Sequence, residues 1–536
     1  MSDAPAARRW LGLIALSLGV GLIVVDATIV NVIVPPLVED LNVGSVQVQW
    51  VQESYAIVFA ALLLVTGRLS DLIGARRMFL AGVVVFAATS VLAGLATGGG
   101  TLVAARFLQG IGGAMILPSS LALVNANFTG RERGQAFAIW GSTIGAAAAL
   151  GPLLGGALAE GSWRWAFGIN IPLGALVFAG VAAFLAPSPR TSGRVDVIGA
   201  LLSIAGLGLL AFAMIEGRTY GWLGTVHPLN IAGLSWDGGP SPVLVALLVA
   251  VVALTAFARR QAALGRDGTG TPPLVDLRLF SIASFRNGNI ATLFIGLGEF
   301  GIIAVLPLWL QFTLGYGALQ AGLALVPLAV GSFLASGASA GMDGKVSPLG
   351  MVRLGLALEV AGLACLGLIA TADVPWWPIA LALMLYGTGV GFATAQVTNV
   401  VLTDVPDASA GQASGIQSAA REMGAALGIA VLTTVFFSML DSKVDRLLTG
   451  GGMPDAEAAR HAGAVTDSAG AVIAPLAADP RTVAVADAAR QAMTEALAFG
   501  AYLAAGLLVL GLIATALIPR GTATAADADA VEPART

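Results

Sequence analysis

Long apolar runs, broken by glycine, proline or a few charges, recur along the whole of this chain. They fall near 10–38, 48–68, 78–97, 102–126, 135–159, 165–186, 196–216, 240–258, 286–313, 319–341, 350–371, 376–402, 411–440 and 492–518. Each is close to 20 residues or longer, enough for a helix rising 1.5 Å per residue to cross a hydrocarbon core roughly 30 Å thick. The pattern predicts an all-α polytopic membrane protein of fourteen spans. The short alternating segments of a membrane β-barrel are absent. The first run carries Asp26 and is too long for a signal-peptide core, so it is read as span one.

Composition agrees with lipid as the main solvent. Of 536 residues, 57% are hydrophobic and 11% charged, less than half the roughly 25% charge of a soluble domain. The basic residues set an orientation. With the N-terminus inside, eighteen Lys and Arg lie on the inner side: Arg8, Arg9, Arg68, Arg76, Arg77, Arg131, Arg133, Arg190, Arg194, Arg259, Arg260, Arg266, Arg278, Arg286, Lys345, Arg353, Arg520 and Arg535. Seven lie outside (Arg164, Arg218, Lys443, Arg446, Arg460, Arg481, Arg490), and Arg106 and Arg421 fall within spans. Short cytoplasmic loops hold the basic excess, so both termini are expected in the cytoplasm.

The net charge of −4 and the scatter of basic residues exclude a nucleic-acid partner. A single cysteine, Cys365, and two histidines, His227 and His461, leave no disulfide or metal cluster. No cofactor is expected. Of the long outer loops, 217–239 holds Trp222 and Trp236, suited to a membrane interface, whereas 441–491 reads as weakly ordered or loosely helical. The tail after Arg520 reads as disordered.

Sliding the chain against itself by 277 residues aligns several segments without a gap. Gly67-Arg68-Leu69-Ser70 falls on Gly344-Lys345-Val346-Ser347, and Arg76 on Arg353. Gly110 and Gly112 fall on Gly387 and Gly389, Gly134-Gln135-Ala136 on Gly411-Gln412-Ala413, and Leu150-Gly151 on Leu427-Gly428. The offset leaves the seventh and eighth spans as an insertion between two six-span halves. The expected units are an N-terminal bundle over 1–190, an inserted hairpin with its linkers over 191–282, a C-terminal bundle over 283–520 and a tail over 521–536. Parallel repeats of this kind place the substrate near the midplane, between the halves.

The loop Gly67-Arg68-Leu69-Ser70-Asp71-Leu72-Ile73-Gly74-Ala75-Arg76-Arg77 resembles the signature between spans two and three of the major facilitator superfamily. The resemblance assigns Gly67, Arg68, Asp71, Gly74, Arg76 and Arg77 to gating. Leu102 to Ala114, with Arg106 and Gln109, is similar to the fourth-span motif of that family, whose arginine is implicated in proton coupling; a structural post for backbone carbonyls is the plainer alternative. Gly141, Gly145, Gly151-Pro152 and Gly155-Gly156 resemble the fifth-span motif of antiporters. By physics alone they make a small-residue packing groove, so the direction of transport follows from the resemblance only. Asp26 to Pro35, with Asn31, together with Trp50 and Tyr55, Trp163-Arg164-Trp165, Asn170-Ile171-Pro172 and Arg421-Glu422-Met423-Gly424, narrows the similarity to the fourteen-span drug:proton antiporter group.

That resemblance implies a bacterial cytoplasmic-membrane exporter, monomeric, driven by the proton gradient and carrying lipophilic, including cationic, drugs or natural products. A dedicated exporter of one self-made antibiotic and a proton-driven importer are the alternatives. Asp26 is the first candidate for a carboxylate alternating between proton and substrate, because its charge is otherwise stranded in span one; Arg106 is expected to tune it or Glu53. Glu299 and Glu422 also lie in apolar stretches, where a lone charge costs several kcal/mol. Glu359 is expected to snorkel to an interface. At offset 277, Asp26 falls on Ile303, Asp71 on Pro348 and Arg106 on Leu383, so proton handling is expected in the N-terminal half and substrate shape in the C-terminal half. No catalytic constellation is present, and no enzyme is expected.

Overall fold

The computed structural model describes residues 6–41, 43, 45–188, 190–191, 193–231, 234–267, 272–342 and 346–518. The first half comprises α1 (Ala6–Leu41), α2 (Ser45–Ile73), α3 (Ala75–Gly94), α4 (Gly99–Asn127), α5 (Gly130–Ala159), the short α6 (Trp165–Gly168) and α7 (Asn170–Phe184). Then come α8 (Val197–Tyr220), a β-hairpin of β1 (Leu229–Ile231) and β2 (Leu234–Trp236), and α9 (Pro242–Asp267). The second half holds α10 (Ala283–Phe312), α11 (Ala318–Ala324), α12 (Val326–Met342), α13 (Pro348–Ile369), α14 (Trp376–Leu402), α15 (Ala410–Gly450), α16 (Asp455–Asp467), α17 (Ile473–Ala478) and α18 (Val483–Ala516). Thirteen of the described helices are long and apolar enough to cross a membrane. The predicted span over 135–159 is the 30-residue α5, which brings the number of crossings to about fourteen.

Helix-helix contacts reproduce the 277-residue offset. In the first half α1 packs on α5 and α7, α3 on α4 and α7, and α2 on α4; in the second, α10 packs on α15 and α18, α13 on α14 and α18, and α12 on α14. Each pair in one half has its counterpart in the other. The halves meet crosswise, α2 on α15 and α5 on α12 and α14. The inserted α8 and α9 pack on each other, and α8 also lies against α2 and α15.

Lipid tails are as apolar as leucine, so helices in a bilayer are held by close van der Waals approach rather than by exclusion from water. Gly428 on α15 shows how close: a Cβ there would stand 2.1 Å from the Leu297 carbonyl oxygen of α10. Buried polar contacts add specificity, as where the Trp309 indole of α10 donates to Thr494 of α18 at 3.0 Å.

Of the two readings of segment 441–491, weakly ordered or loosely helical, the helical one holds. The segment is not weakly ordered: α15 runs on to Gly450, α16 and α17 follow, and α18 begins at Val483. Ala458, Ala462, Val465 and Ile473 are buried, so one side of this stretch packs as a helical cap while Ala459 and Ala464 face outward. Lys443 pairs with Glu495, joining the protruding ends of α15 and α18. The cap also touches the insertion, where Arg218 of α8 stacks 3.4 Å over the Phe437 ring. In loop 217–239, Trp222 packs on Gly217 and the partly exposed Trp236 donates to Pro240 O at 2.9 Å. Lys345, Arg520, Arg535 and the tail lie outside the described residues.

Gly428→Ala is expected to lower detergent-solubilised stability by about 1–3 kcal/mol, the usual cost of overpacking. Gly463→Ala on α16, where a Cβ would meet nothing within 4 Å, should be neutral or gain up to roughly 1 kcal/mol of helix propensity. Thermal unfolding of the purified variants compares the two.

Candidate functional site

Asp26 on α1 is fully buried and is not stranded. Its Oδ2 pairs with Arg106 Nη1 of α4, itself 1% exposed. Its Oδ1 accepts from Gln109 Nε2 and from Asn170 Nδ2 of α7, each at 2.8 Å. Both amides also donate to Ser90 Oγ of α3, at 2.9 and 3.1 Å. Arg106 donates further to Gln109 Oε1 at 2.7 Å and to the Val51 carbonyl of α2 at 3.1 Å. The guanidinium plane lies 4.5 Å from the Tyr55 ring and 5.9 Å from that of Phe167. One ion pair therefore draws on five helices, and Arg106 serves both as Asp26's counter-charge and as a post for a backbone carbonyl. The i, i+3 spacing of Arg106 and Gln109 puts both on one face of α4.

The C-terminal half carries a second ionisable cluster. Arg421 Nη2 of α15 is 3.5 Å from Glu299 Oε2 of α10. Glu422 lies within electrostatic reach of Arg421 and Glu299 and, across the divide between the halves, of Tyr55. Glu359 does not snorkel: it is 0% exposed on α13, and neither carboxyl oxygen has a hydrogen-bond partner among the described residues. It is in reach of Glu299, Arg421 and the buried Tyr386 of α14. Gly389 and Gly362 make room for it and for Tyr386 between α13 and α14. Ionisable groups are thus not confined to the first half. Those of the second half sit at helix positions other than the repeat counterparts of Asp26 and Arg106. Glu53, half-buried on α2, lies in reach of Tyr220 of α8, and the Asn31 side chain lies outside the described residues.

On the face carrying the Gly67–Arg77 loop, the halves are locked together. A Cβ on Gly67 would stand 2.6 Å from Gly411 O and 2.9 Å from Gly415 Cα, so α2 and α15 cross there at backbone distance. The Asp71 carboxylate accepts from Gly411 N at 2.7 Å and Gln412 N at 2.9 Å. It thereby satisfies two of the free N–H groups that open α15 and meets the positive end of that helix. Arg68 is buried beside Asp71. Gly74 takes φ 94°, the left-handed value that lets α2 end and α3 begin without a longer loop. Arg76 donates from its backbone to Ser188 Oγ at 3.1 Å and from its side chain to Ala182 O, while Arg77 is exposed. Arg133 of α5 reaches Asn399 and Thr403, each at 3.0 Å, in a second contact between the halves.

A family profile for the Major Facilitator Superfamily matches residues 16–429. The chain belongs to that superfamily. This membrane transporter is 34% identical over 454 residues to a probable actinorhodin transporter of Streptomyces coelicolor, covering 82% of this chain and 74% of the relative. It is 34% identical over 445 residues to a puromycin resistance protein of Streptomyces alboniger, covering 81% and 83%. Among solved structures, the human organic anion transporter MFSD10 matches with TM-score 0.60 at 15% identity, covering 95% of this chain and 100% of the other, a likeness of fold alone.

Within this major facilitator transporter, α5 shows its small-residue motif as a two-sided groove. Gly141 faces Ala395 of α14, and Gly151 faces Thr28 of α1. Gly155 is buried, and a Cβ on Gly156 would meet nothing within 4 Å. The placements of Gly145 and Pro152 beyond their helical backbone lie outside the described residues. On the opposite face, Asp40 accepts from Trp163 Nε1 at 3.0 Å and pairs with Arg164, which stacks 4.5 Å from the Trp163 ring. The bonds from Trp163 and Arg164 hold the Asp40 carboxyl below its ordinary value of 3.8.

Sequence reasoning missed Ser90 and gave Asn170 no role. The available signals were a polar residue inside span three and an amide at the mouth of span six, both too common to decide anything without their partner.

Arg106→Leu leaves the Asp26 charge buried alone and is expected to cost about 3–5 kcal/mol of stability, most of it recovered in the double variant with Asp26→Leu. Asn170→Ala should cost roughly 1–2 kcal/mol. Thermal unfolding in detergent ranks the three. The depressed Asp40 carboxyl contributes stability above its ordinary value and loses it as pH falls. Asp40→Asn should therefore melt slightly below the parent at pH 7, with the two converging as pH approaches 3.8 and below.

Proposed function

We propose that this chain exports lipophilic small molecules, cationic ones included, across the bacterial cytoplasmic membrane in exchange for protons, with both termini in the cytoplasm. It works as a monomer of two six-helix halves plus an inserted hairpin, with no cofactor beyond the proton gradient. The carrying observation is the buried Asp26–Arg106 pair. A proton taken up by Asp26 cancels half of the pair, and Arg106 then presents an uncompensated charge beneath the Tyr55 ring. Tyr55 is in reach of Glu422 in the other half, so protonation in the first half alters the field where a substrate would sit between the halves. Two carboxylates, Glu299 and Glu422, against one Arg421 favour a cationic or neutral substrate there. The Asp71 contact with α15 then serves as the cytoplasmic gate, broken and remade in each cycle.

A narrower reading is favoured by the relatives, two of which are named for single antibiotics, actinorhodin and puromycin. On it, this chain is the dedicated exporter of one natural product. A resistance profile in a host stripped of its own pumps separates the readings: protection against several unrelated lipophilic compounds supports broad export, and protection against one supports the dedicated exporter.

Coupling is tested in inside-out vesicles energised with an imposed pH gradient and a fluorescent lipophilic cation. Asp26→Asn should lose most of its gradient-driven accumulation, because an amide cannot take up and release the proton that a carboxylate carries. It should keep downhill movement of the dye. Full pH-dependent accumulation in the variant would overturn Asp26 as the coupling group.

A further inference from the structure

The inserted hairpin α8–α9 has no counterpart in either six-helix half, yet polar contacts tie it to the gate. Asp196, 2% exposed, caps α8 by accepting from Gly199 N at 3.0 Å, and also accepts from Arg260 Nε at 2.8 Å and Gln261 Nε2 at 2.9 Å of α9. The arrangement needs Gly199, where a Cβ would stand 2.2 Å from the Asp196 carboxylate and 2.5 Å from the Gln261 amide. Gln261, 1% exposed, turns its Oε1 to the chain leaving the hairpin and accepts from Leu274 N at 2.7 Å and Val275 N at 3.2 Å. The next amide, Asp276 N, donates to Gln412 Oε1 of α15 at 3.0 Å. Gln412 is also the residue whose backbone N–H binds Asp71. On the entry side, Thr191 N donates to the Asp71 carbonyl at 2.9 Å.

Three consecutive amides, 274 to 276, are thus held from two sides, by a glutamine of the insertion and a glutamine of the second half. Their segment forms a strap from the hairpin to the first turn of α15. The hairpin also reaches α2 through Thr191, so it grips both partners of the gate. We propose that Gln261 and Gln412 are positioning residues for the transport cycle, which, through the strap 274–276, stabilise the state with Asp71 seated on α15. Separation of α2 from α15 must strain or release the strap, so the insertion biases the cycle toward closure of the gate face. The inference rests on the alternating-access reading only in treating that separation as a step of transport.

The test is the rate at which a maleimide labels Ser414→Cys, a fully buried position one turn into α15, in a Cys365→Ser background reconstituted in lipid nanodiscs without substrate. Gln412→Met keeps the backbone N–H on Asp71 and removes only the side-chain acceptor; Gln261→Met removes the other end of the strap. Each should raise the labelling rate roughly three- to ten-fold, the scale of one net hydrogen bond. Because both act through one strap, the double variant should label no more than about two-fold faster than the faster single variant. Unchanged rates in the single variants, or a double variant equal to their product, would overturn the proposal. A merely structural role would lower melting temperature without moving the labelling rate. If Gln261→Met does not fold, Asp276→Pro is measured singly, since φ −77° at Asp276 suits proline and the substitution deletes the N–H that Gln412 accepts, along with the Asp276 pairing to Arg278; it should raise the labelling rate by the same roughly three- to ten-fold, and an unchanged rate would overturn the proposal. Gradient-driven transport by the parent chain checks the transport reading separately.

Discussion

A guanidinium and a carboxylate buried against each other set the terms for the first half of this transporter. Neither Asp26 nor Arg106 can stay charged alone inside a bundle surrounded by lipid, because an isolated buried charge is far costlier than the pair. Each therefore obliges the other's helix to stay in place. The remaining donors and acceptors then recruit α2, α3 and α7, through Val51, Ser90 and Asn170. Such a pair adds little net stability compared with an apolar filling, but it tolerates few alternative registers.

The two halves share a contact plan but not a chemistry. Equivalent helix pairs pack in each, and small residues bring their backbones together at corresponding places. The charged residues sit at different positions in the two: Asp26 and Arg106 on the first and fourth helices of one half, and Glu299, Glu359 and Arg421 on the first, third and fifth spans of the other. Packing is dictated by the repeat, whereas the placement of charge is free to diverge. Where α2 meets α15 the asymmetry is plain, since Asp71 of one half finds the open N-terminus of α15 in the other, while Pro348, its repeat partner, has no carboxylate to offer in return.

The spans were legible because transfer from water to lipid acts on composition averaged over about 20 residues, a property a linear sequence carries fully. The loop from Gly67 to Arg77 and the segment around Arg106 were legible as family motifs. The partners of those residues were not: Ser90 and Asn170 gain meaning only from their distance to Asp26, 64 and 144 positions away along the chain. Glu359 read as interfacial because its neighbours in sequence include a turn, although it is fully buried against α14. The alanine-rich stretch beyond Leu440 read as weakly ordered or loosely helical for a similar reason. Alanine carries a faint hydropathy signal, yet it is a strong helix former and packs closely when another helix is near.

The continuity of α15 has a mechanical meaning. Its 41 residues make a rod about 60 Å long at 1.5 Å per residue, nearly twice the thickness of the hydrocarbon layer. One end carries the amides that receive Asp71, and the other runs into the helical cap of α16 and α17. A tilt of the rod small enough to unseat Asp71 sweeps the far end through a larger arc. The cap is therefore a pointer to the Asp71 contact, and a molecule that grips it would sense, and could arrest, a movement at the far end of the rod.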